Sequence, residues 1–210
     1  MTDQSVEKVP MSIKETTREK LLEAAEEVFA TKGYYEAAVD EIVRRSNTSK
    51  GSVYFYFPSK ESLFLAVVDL LGDRLIQRVE RAVADVSDPR QRLEVVLVTT
   101  VETLTRHKSL ASLLLSKGFG MGPSFVQKRR EVFGRFADRL RELLDQALGQ
   151  EKAAALNTEV VAYAWLGAIS EVVVCWLETG KPHPVEEALP TLRLLLLGGV
   201  GVETGRDGWE

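Results

Sequence analysis

The residues best suited to chemistry lie in one short stretch of the sequence, from Ile42 to Lys60. Its fully charged side chains are all basic: Arg44, Arg45, Lys50 and Lys60. Hydroxyl groups of serine, threonine and tyrosine lie between these charges, and no Asp or Glu interrupts them. A local excess of cations and hydrogen-bond donors suits the phosphate backbone of a nucleic acid. The stretch therefore predicts a surface that contacts DNA.

The composition of the whole chain is compatible with this local prediction. The 210 residues are 45% hydrophobic and 28% charged, with a formal net charge of −4. Domains that bind nucleic acids are often basic, so the total argues weakly against a DNA-binding role. Screening limits the influence of each exposed charge to about 10 Å, however, and the acidic excess can lie elsewhere.

Sequence signatures of common enzymes and metal sites are missing. The patterns G-x-S-x-G and H-E-x-x-H do not occur, and Gly118–Gly122 follows a helix and fails the dinucleotide-binding pattern at Pro123. The single cysteine, Cys175, lies in an apolar run, which predicts a buried and inert thiol. We expect no catalytic residue, no cofactor and no bound metal. A small helical enzyme stays an alternative, although His107 has no obvious partner on its helix.

The sequence also predicts a cytoplasmic protein. Residues 1–10 carry acidic groups and contain no apolar segment of the kind found in secretory signals. No uninterrupted apolar run approaches the roughly 18 residues that a membrane span needs. We therefore expect no membrane partner.

Hydrophobic periodicity indicates helices along the whole chain and no strand, so the predicted class is all-α. Helices are predicted at about 13–32, 39–46, 50–57, 59–84, 89–107, 109–117, 124–149, 157–180 and from beyond 184 to 198. Residues 1–58 are predicted to form a helix–turn–helix domain, with 1–12 disordered. Residues 59–201 should form a larger helical domain for ligand binding and dimerisation, followed by a disordered tail at 202–210.

The turn before the third predicted helix centres on Asn47. Asn tolerates the left-handed conformation that such a sharp turn needs better than other non-glycine residues. At 100° per residue, Val53 and Phe57 share the inward face of this helix. Ser52 and Phe55 then point outward, together with Gly51.

From about Arg18 to Phe64 the chain resembles the DNA-binding domain of the TetR family of transcriptional regulators. The order and spacing of the matching residues are kept over this whole segment. They are Leu22, Ala24, Ala25, Phe29, Lys32, Gly33, Tyr34, Asp40, Glu41, Ile42, Ser49, Lys50, Gly51, Ser52, Val53, Tyr54, Tyr56, Phe57, Lys60, Glu61 and Leu63.

The resemblance implies a role for each residue of the predicted interface. The recognition helix would turn Ser49, Lys50, Gly51, Ser52 and Phe55, together with Thr48 just before it, towards bases or adjacent phosphates. Tyr54, Tyr56 and Lys60 would hold phosphates, and Arg44 or Arg45 would reach a phosphate or a base edge. Phe55 cannot read hydrogen bonds, but it can contact a thymine methyl group.

Two departures from the family pattern concern local geometry. Ser46-Asn47-Thr48 replaces the usual Ala-Gly-Val, and Asn47 should preserve the turn. Ala37 and Ala38 replace residues that often cap the second helix and touch phosphate. We expect this to cost about 1 kcal/mol of capping and one phosphate contact, with Asp40 partly compensating through the helix dipole.

The resemblance also implies a homodimer formed through the last two long helices, which would bind a palindromic operator in double-stranded DNA. The segment 157–180 supports this independently, because it is apolar nearly all round and must be covered on both sides. Pro190 should kink the final helix or mark its start. A small-molecule effector would enter the helical body, move the helix after Pro58 and release a repressor from its operator.

The effector is predicted to be largely apolar, with a fatty acid or an acyl-CoA as the candidate. The predicted lining residues are Phe119, Met121, Phe125, Arg129, Phe133, Phe136, Tyr163 and Trp165. Arg129 and its basic neighbours could hold an anionic head, or they could simply be the solvated side of an amphipathic helix. The aromatic residues could equally belong to the core. A ligand-independent architectural dimer is therefore the main alternative function.

Overall fold

The structure, a computed structural model, describes residues 13–115, 122–181 and 185–202. The described residues form α-helices and one short 3₁₀ helix, and they contain no strand, so the all-α prediction is confirmed. The helices are α1 (Ile13–Glu36), α2 (Val39–Ser46), α3 (Lys50–Tyr56), α4 (Lys60–Val83), α5 (Pro89–Arg106), α6 (Lys108–Leu115), α7 (Pro123–Leu156), α8 (Thr158–Thr179) and α9 (Leu189–Gly199), with the 3₁₀ helix at Val185–Ala188. The segments 1–12 and 203–210, predicted to be disordered, lie outside the described residues. Val202, the first residue of the predicted disordered tail, is instead buried, and its N–H donates to the carbonyl of Leu197 at 3.0 Å.

The chain divides into two compact units, and the boundary falls within α4, between Val67 and Val68. The sequence predicts a boundary at Pro58 instead. The difference has a physical reason: Leu63 and Phe64, in the first turns of α4, are fully buried and complete the core of the first unit. Since α4 is one continuous helix, it contributes residues to both units.

The first unit packs α1, α2, α3 and the start of α4 around an aromatic cluster. The rings of Phe29 and Phe64 meet edge to face with centroids 5.0 Å apart, and Tyr34 contacts both. Gly33 interrupts α1 with a φ of 74°, at the point where the sequence predicts the end of the helix. Glycine adopts this left-handed φ without the steric cost that a Cβ would bring.

The second unit is built around α7, which packs along α5 and α8. Its buried core includes Leu97, Leu140, Leu144, Trp165 and Ile169. Asp88 and Asn157 cap α5 and α8 through their side chains, at the predicted starts of these helices. Pro190 lies in the first turn of α9 and so marks the start of that helix rather than a kink.

Both ends of α7 differ from the prediction. The sequence predicts Ser124 as the N-terminal cap, but the helix begins at Pro123 and Gly122 occupies the cap position. Proline suits the first helical position because its missing N–H would have no partner there. At the other end, Gly149 leaves the helical conformation with a φ of 72°, but a further segment continues to Leu156.

The outward side of α8 corrects one expectation and adds a qualification to another. Cys175 is exposed rather than buried, because the helical period turns it away from the core that holds Val173 and Trp176. The 22 residues of α8 also have a window of mean hydropathy 1.8, which by length and composition alone would suffice to cross a membrane. Its buried residues pack as those of a core helix in the second unit, so this composition is weak evidence for a membrane span.

Candidate DNA interface and ligand cavity

The turn between α2 and α3 has the predicted geometry. Asn47 adopts φ 52° and ψ 43°, in the left-handed region. The backbone N–H of Thr48 donates to the carbonyl of Val43 at 3.3 Å, and the hydroxyls of Ser46 and Thr48 lie 2.8 Å apart. These local hydrogen bonds hold the chain direction between the two helices.

Helix α3 begins with a serine cap. The Ser49 Oγ accepts a hydrogen bond from the backbone N–H of Ser52 at 3.0 Å, and the two hydroxyls are 2.9 Å apart. Capping of this kind typically stabilises a helix by about 1 kcal/mol. Both hydroxyls therefore already have an intramolecular partner, and a hydroxyl can still offer a further hydrogen bond to DNA.

The faces of α3 agree with the predicted periodicity. Val53 and Phe57 are buried, whereas Phe55 is 71% exposed and Tyr54 is also exposed. The ring of the half-buried Tyr56 meets Phe55 edge to face, with 5.0 Å between the centroids. Gly51 is exposed as well. The outward face thus combines hydroxyl groups with one large aromatic side chain.

Carboxylates close to the basic residues are the feature that the sequence did not predict. Asp40 Oδ1 lies 2.7 Å from Lys50 Nζ, and Glu41 accepts from both Lys32 and Arg45. Arg45 also reaches Glu27 on α1, at 3.0 Å. The absence of acidic residues from 42 to 60 conceals these partners, since they come from α1 and from the first turn of α2.

The two adjacent arginines are therefore not equivalent. Arg45 joins α1 to α2 through two carboxylates. Arg44 is exposed and forms no ion pair with any described residue. Of the two, Arg44 has the guanidinium that can reach a phosphate without breaking an ion pair.

Lys60 is partly engaged with its own unit. Its Nζ donates to the carbonyl of Tyr35 at 3.1 Å and lies 4.8 Å from the centroid of the Tyr34 ring. Burial lowers the pKa of Lys60 and, together with the nearby Glu61, raises the pKa of Tyr34. An ammonium has three donors, so one hydrogen bond to Tyr35 leaves others for a phosphate.

The N-terminus of α2 lacks a side-chain cap, as the sequence predicts. Ala38 occupies the cap position in an extended conformation and makes no side-chain hydrogen bond. Asp40 and Glu41 lie in the first turn, where negative charge is favourable to the helix dipole.

In the second unit, an apolar cavity of about 30 Å³ lies between α4, α5, α6, α7 and α8. Two predicted ligand residues, Phe133 and Phe136, line it. Residues from every one of these helices complete the lining: Gly72, Leu75, Thr100, Leu104, Leu114, Leu115, Val132, Leu166, Ile169 and Ser170. No periodic or motif signal distinguishes these side chains from ordinary core residues, so sequence reasoning does not find them.

The other predicted ligand residues are dispersed. Phe125 and Trp165 are buried but do not line the cavity, and Tyr163 is exposed. Phe119 and Met121 lie outside the described residues. Arg129 is half-buried, and its guanidinium stacks over the Phe133 ring at 4.5 Å from the centroid, beside the cavity wall. Burial lowers the pKa of Arg129.

Helices α4 and α7 pack closely at Gly72. A Cβ added to this glycine would lie 2.4 Å from a methyl carbon of Val132. Ion pairs join the same two helices on the outside, where Arg135 contacts Asp69 at 2.8 Å and Asp73 at 3.1 Å. The spacing of α4 and α7 is thus determined by a glycine inside and by charges outside.

Exposed apolar side chains also occur on α8 and α9. Leu194 and Leu195 are 66% and 64% exposed, and Val160 and Tyr163 are exposed on α8. Large aliphatic side chains grouped on a surface commonly mark an interface with another protein.

Comparison with known proteins agrees with the geometry of the first unit. The family model described as "Bacterial regulatory proteins, tetR family" matches residues 21–67. The uncharacterized HTH-type transcriptional regulator YdgC of Bacillus subtilis is 27% identical over 87% of this chain and 92% of that protein. The HTH-type transcriptional activator FasR of Mycolicibacterium smegmatis is 26% identical over 87% of this chain and 82% of its own length.

Solved structures have a similar fold. The transcriptional regulator FadR from Bacillus subtilis, solved in complex with stearoyl-CoA, superposes with a TM-score of 0.74. It is 19% identical, with 89% of this chain and 99% of that chain covered. The turn at Asn47, the outward face of α3 and these similarities lead to one conclusion. Residues 21–67 belong to the TetR family of bacterial regulatory proteins, and most of the chain is similar to HTH-type transcriptional regulators.

Proposed function

We propose that this protein is a cytoplasmic, dimeric repressor that binds a palindromic DNA operator and is released from it by a small, largely apolar effector. The observation that carries the DNA-binding part is the outward face of α3. This face carries hydroxyls, a lysine and an exposed Phe55 on a helix held by the Asn47 turn.

In this proposal the contacts divide into two classes. Arg44, Lys50, Tyr54, Tyr56 and Lys60 bind phosphates and fix the position of the protein on DNA. Residues at the start of the helix and on its outward face approach base edges or nearby phosphates; these are Thr48, Ser49, Gly51, Ser52 and Phe55. Arg45 keeps its two carboxylate partners and acts mainly by positioning α2.

The exposed aliphatic surface of α8 and α9 supports a homodimer. Leu194 and Leu195 would be unfavourable in water at their present exposure, and a second copy of the same surface would cover them. A twofold axis would present two α3 helices to successive major grooves about 34 Å apart. The affinity of the operator would then depend on both half-sites.

The apolar cavity supports a fatty acyl group as the effector. Among its lining residues only Thr100 and Ser170 carry a polar side chain, and the Thr100 hydroxyl already donates to the carbonyl of Val96. Arg129 lies beside the wall at Phe133 and can hold a carboxylate or phosphate head outside the apolar space. The similar FadR of Bacillus subtilis was solved with stearoyl-CoA, a ligand of this chemical type.

The small volume of the cavity implies how the effector would act. About 30 Å³ holds no acyl chain, since ligand pockets typically measure about 300 Å³ or more. The effector would therefore have to separate α4 from the helices around it. Because α4 also contributes to the first unit, such a displacement can change the geometry of DNA binding. Coupling of this kind is typically worth about 1–3 kcal/mol.

A two-stage binding experiment tests the proposal. DNA fragments selected from genomic DNA are first measured by fluorescence anisotropy over a series of salt concentrations. Stearoyl-CoA, free stearate and benzoate are then titrated into the complex. We expect sequence-dependent, salt-sensitive binding that stearoyl-CoA or stearate weakens and benzoate does not. Repression is tested with a reporter placed downstream of the selected operator, since FasR is named as an activator.

The ligand-independent architectural dimer is the second candidate, and the near absence of free volume in the cavity of the second unit favours it. Thermal unfolding distinguishes the two. A true effector present at 100 times its dissociation constant adds about 2.7 kcal/mol to the stability of the folded protein. If none of the three compounds changes either DNA affinity or thermal stability, the acyl effector is contradicted and the ligand-independent architectural dimer is supported.

A further inference from the structure

Asp40 and Lys50 form an ion pair across the helix–turn–helix. The carboxylate Oδ1 of Asp40 lies 2.7 Å from the Nζ of Lys50. Asp40 is in the first turn of α2, and Lys50 is the first residue of α3. The two side chains are 75% and 57% exposed, so the pair lies on the surface in contact with water.

This pair differs from the other ion pairs of the first unit. Glu41 is largely buried between Lys32 and Arg45, and Arg45 continues to Glu27, so those contacts join α1 to α2. The carboxylate of Asp40 instead reaches the recognition helix itself. Its hydrogen bond to Lys50 raises the pKa of the lysine, which keeps the ammonium charged.

A negative charge at this place is unfavourable for binding a polyanion. Every phosphate that approaches Lys50 also approaches Asp40, and the two anions compete for the same ammonium. The salt dependence of DNA binding counts the phosphates that a protein neutralises. A lysine that keeps its own carboxylate nearby contributes less than a full charge to that count.

We propose that Asp40 is a residue of the DNA interface that limits affinity, acting as a built-in counterion for Lys50. The inference rests on the proposed function of α3 as the helix that contacts DNA. Asp40 weakens binding to operator and to unrelated DNA alike, because a phosphate contact carries no sequence information. Contacts between the outward side chains of α3 and the bases then supply a larger share of the remaining binding energy.

The variant Asp40→Asn tests this inference directly. It removes the charge while keeping the size of the side chain. We expect binding to the selected operator and to a random-sequence duplex of equal length to tighten by about two- to fivefold, the range typical of an exposed ion pair. The dependence of log affinity on log salt should become steeper by up to about one unit. Anisotropy titrations at several salt concentrations measure both quantities.

Two further variants separate this role from the alternatives. Glu23→Gln removes an equal charge from an exposed position on α1, a helix that carries neither Asp40 nor Lys50, and should leave the salt dependence nearly unchanged. Asp40→Asn in a Lys50→Gln background should change affinity by less than about twofold, because the ammonium for which the carboxylate competes is gone. Circular dichroism and thermal unfolding confirm that each variant is folded.

The possible results are distinguishable. Weaker binding by Asp40→Asn would mean that the pair positions Lys50 for DNA, and it would overturn the inference. So would tightening on the operator alone, which would indicate contact with a base, or an equal effect of Glu23→Gln, which would indicate a general charge effect. If the wild-type protein binds none of the DNA probes, the proposed function fails, and the inference fails with it.

Discussion

The two compact units hold their candidate sites in opposite ways. In the first unit the site is the outward face of α3, a helix of 7 residues whose side chains project from a small, fully packed core. In the second unit the candidate effector site lies inside, between helices, and has a volume of only about 30 Å³. Both units also expose large apolar side chains. Phe55 lies on a helix with hydroxyls and a lysine and contacts the Tyr56 ring, whereas Leu194 and Leu195 belong to a run of four leucines on α9.

This difference shows which property determines each site. On α3 the identity of single side chains decides what is bound, because the backbone that presents them is held by local turns and caps. In the second unit the spacing of the helices decides whether a ligand can bind. The lining side chains are ordinary core residues, and the space between them must change. Substitutions at the first site should therefore alter binding without altering stability. Substitutions between the helices of the second unit should alter stability.

The largest effect is expected at the exposed leucines of α9. Changing both Leu194 and Leu195 to Asp places two charges where a second copy would pack. We expect the dimer to dissociate at micromolar concentration and operator affinity to fall by about 100-fold or more, because two linked half-sites then bind separately. Sedimentation velocity and anisotropy measure the two results. Ser124→Asp, at an exposed position on α7, is the control, and a persisting dimer would place the interface elsewhere.

The next effect tests the packing of the second unit. In Gly72→Ala the new Cβ would lie 2.4 Å from a methyl carbon of Val132, so the Val132 side chain or the two helices must shift. We expect a loss of about 1–3 kcal/mol in the free energy of unfolding, as is typical of overpacking. Chemical denaturation measures it, and Val132→Ala in the same chain should restore part of the loss.

Gly134→Ala is the matched control for that prediction. It adds the same methyl group to a helical glycine of α7, but the nearest atom, the Tyr163 hydroxyl, is at an ordinary 3.9 Å. Alanine is favoured over glycine in a helix by up to about 1 kcal/mol, so this variant should be neutral or more stable. Equal losses from both variants would contradict the special spacing at Gly72.

Lys60 is expected to affect both DNA binding and stability, unlike the other residues of the first site. Lys60→Ala removes the hydrogen bond to Tyr35 and the contact with the Tyr34 ring, at a cost of about 1 kcal/mol in stability. It should also reduce the salt dependence of DNA binding by about one unit if the remaining donors hold a phosphate. Lower stability with unchanged salt dependence would restrict Lys60 to a role within its own unit.

Phe55 should affect DNA binding without affecting stability, as expected for the first site. Since its side chain is 71% exposed, Phe55→Ala should leave thermal stability unchanged. We expect operator affinity to fall by about 1 kcal/mol, close to fivefold, with no change on random DNA, because an apolar contact with a thymine methyl is specific to sequence. Phe55→Leu retains an apolar side chain and should lose less. An equal loss on random DNA would indicate stacking or packing instead of base recognition.

The sequence predicts most of the first unit because its determinants are local. The left-handed Asn47, the cap at Ser59, and the inward positions of Val53 and Phe57 each depend on a few neighbouring residues. The same holds for Asp88 and Asn157 in the second unit. These features follow from backbone sterics and from the period of the helix.

What the sequence does not predict depends on residues that are distant in the chain or on the orientation of a helix. The partners of Arg45 come from α1 and from the preceding turn, so reading the basic stretch alone conceals them. The close approach of Gly72 to Val132 joins two helices far apart in sequence. Cys175 lies in an apolar run, yet faces outward because an all-apolar helix gives no sign of which side is covered.

The smallest effect is expected at Tyr54, whose hydroxyl would donate a hydrogen bond to a phosphate. Tyr54→Phe removes that donor and keeps the ring, so stability should stay within experimental error. A neutral hydrogen bond is worth about 0.5–1.5 kcal/mol, so operator and random DNA should both bind about two- to tenfold more weakly. The salt dependence should change only slightly, because no charge is lost, and this separates Tyr54 from Lys60. Anisotropy titrations of both variants at matched salt concentrations measure the contrast. A loss confined to the operator would move Tyr54 from the phosphate contacts to the base contacts.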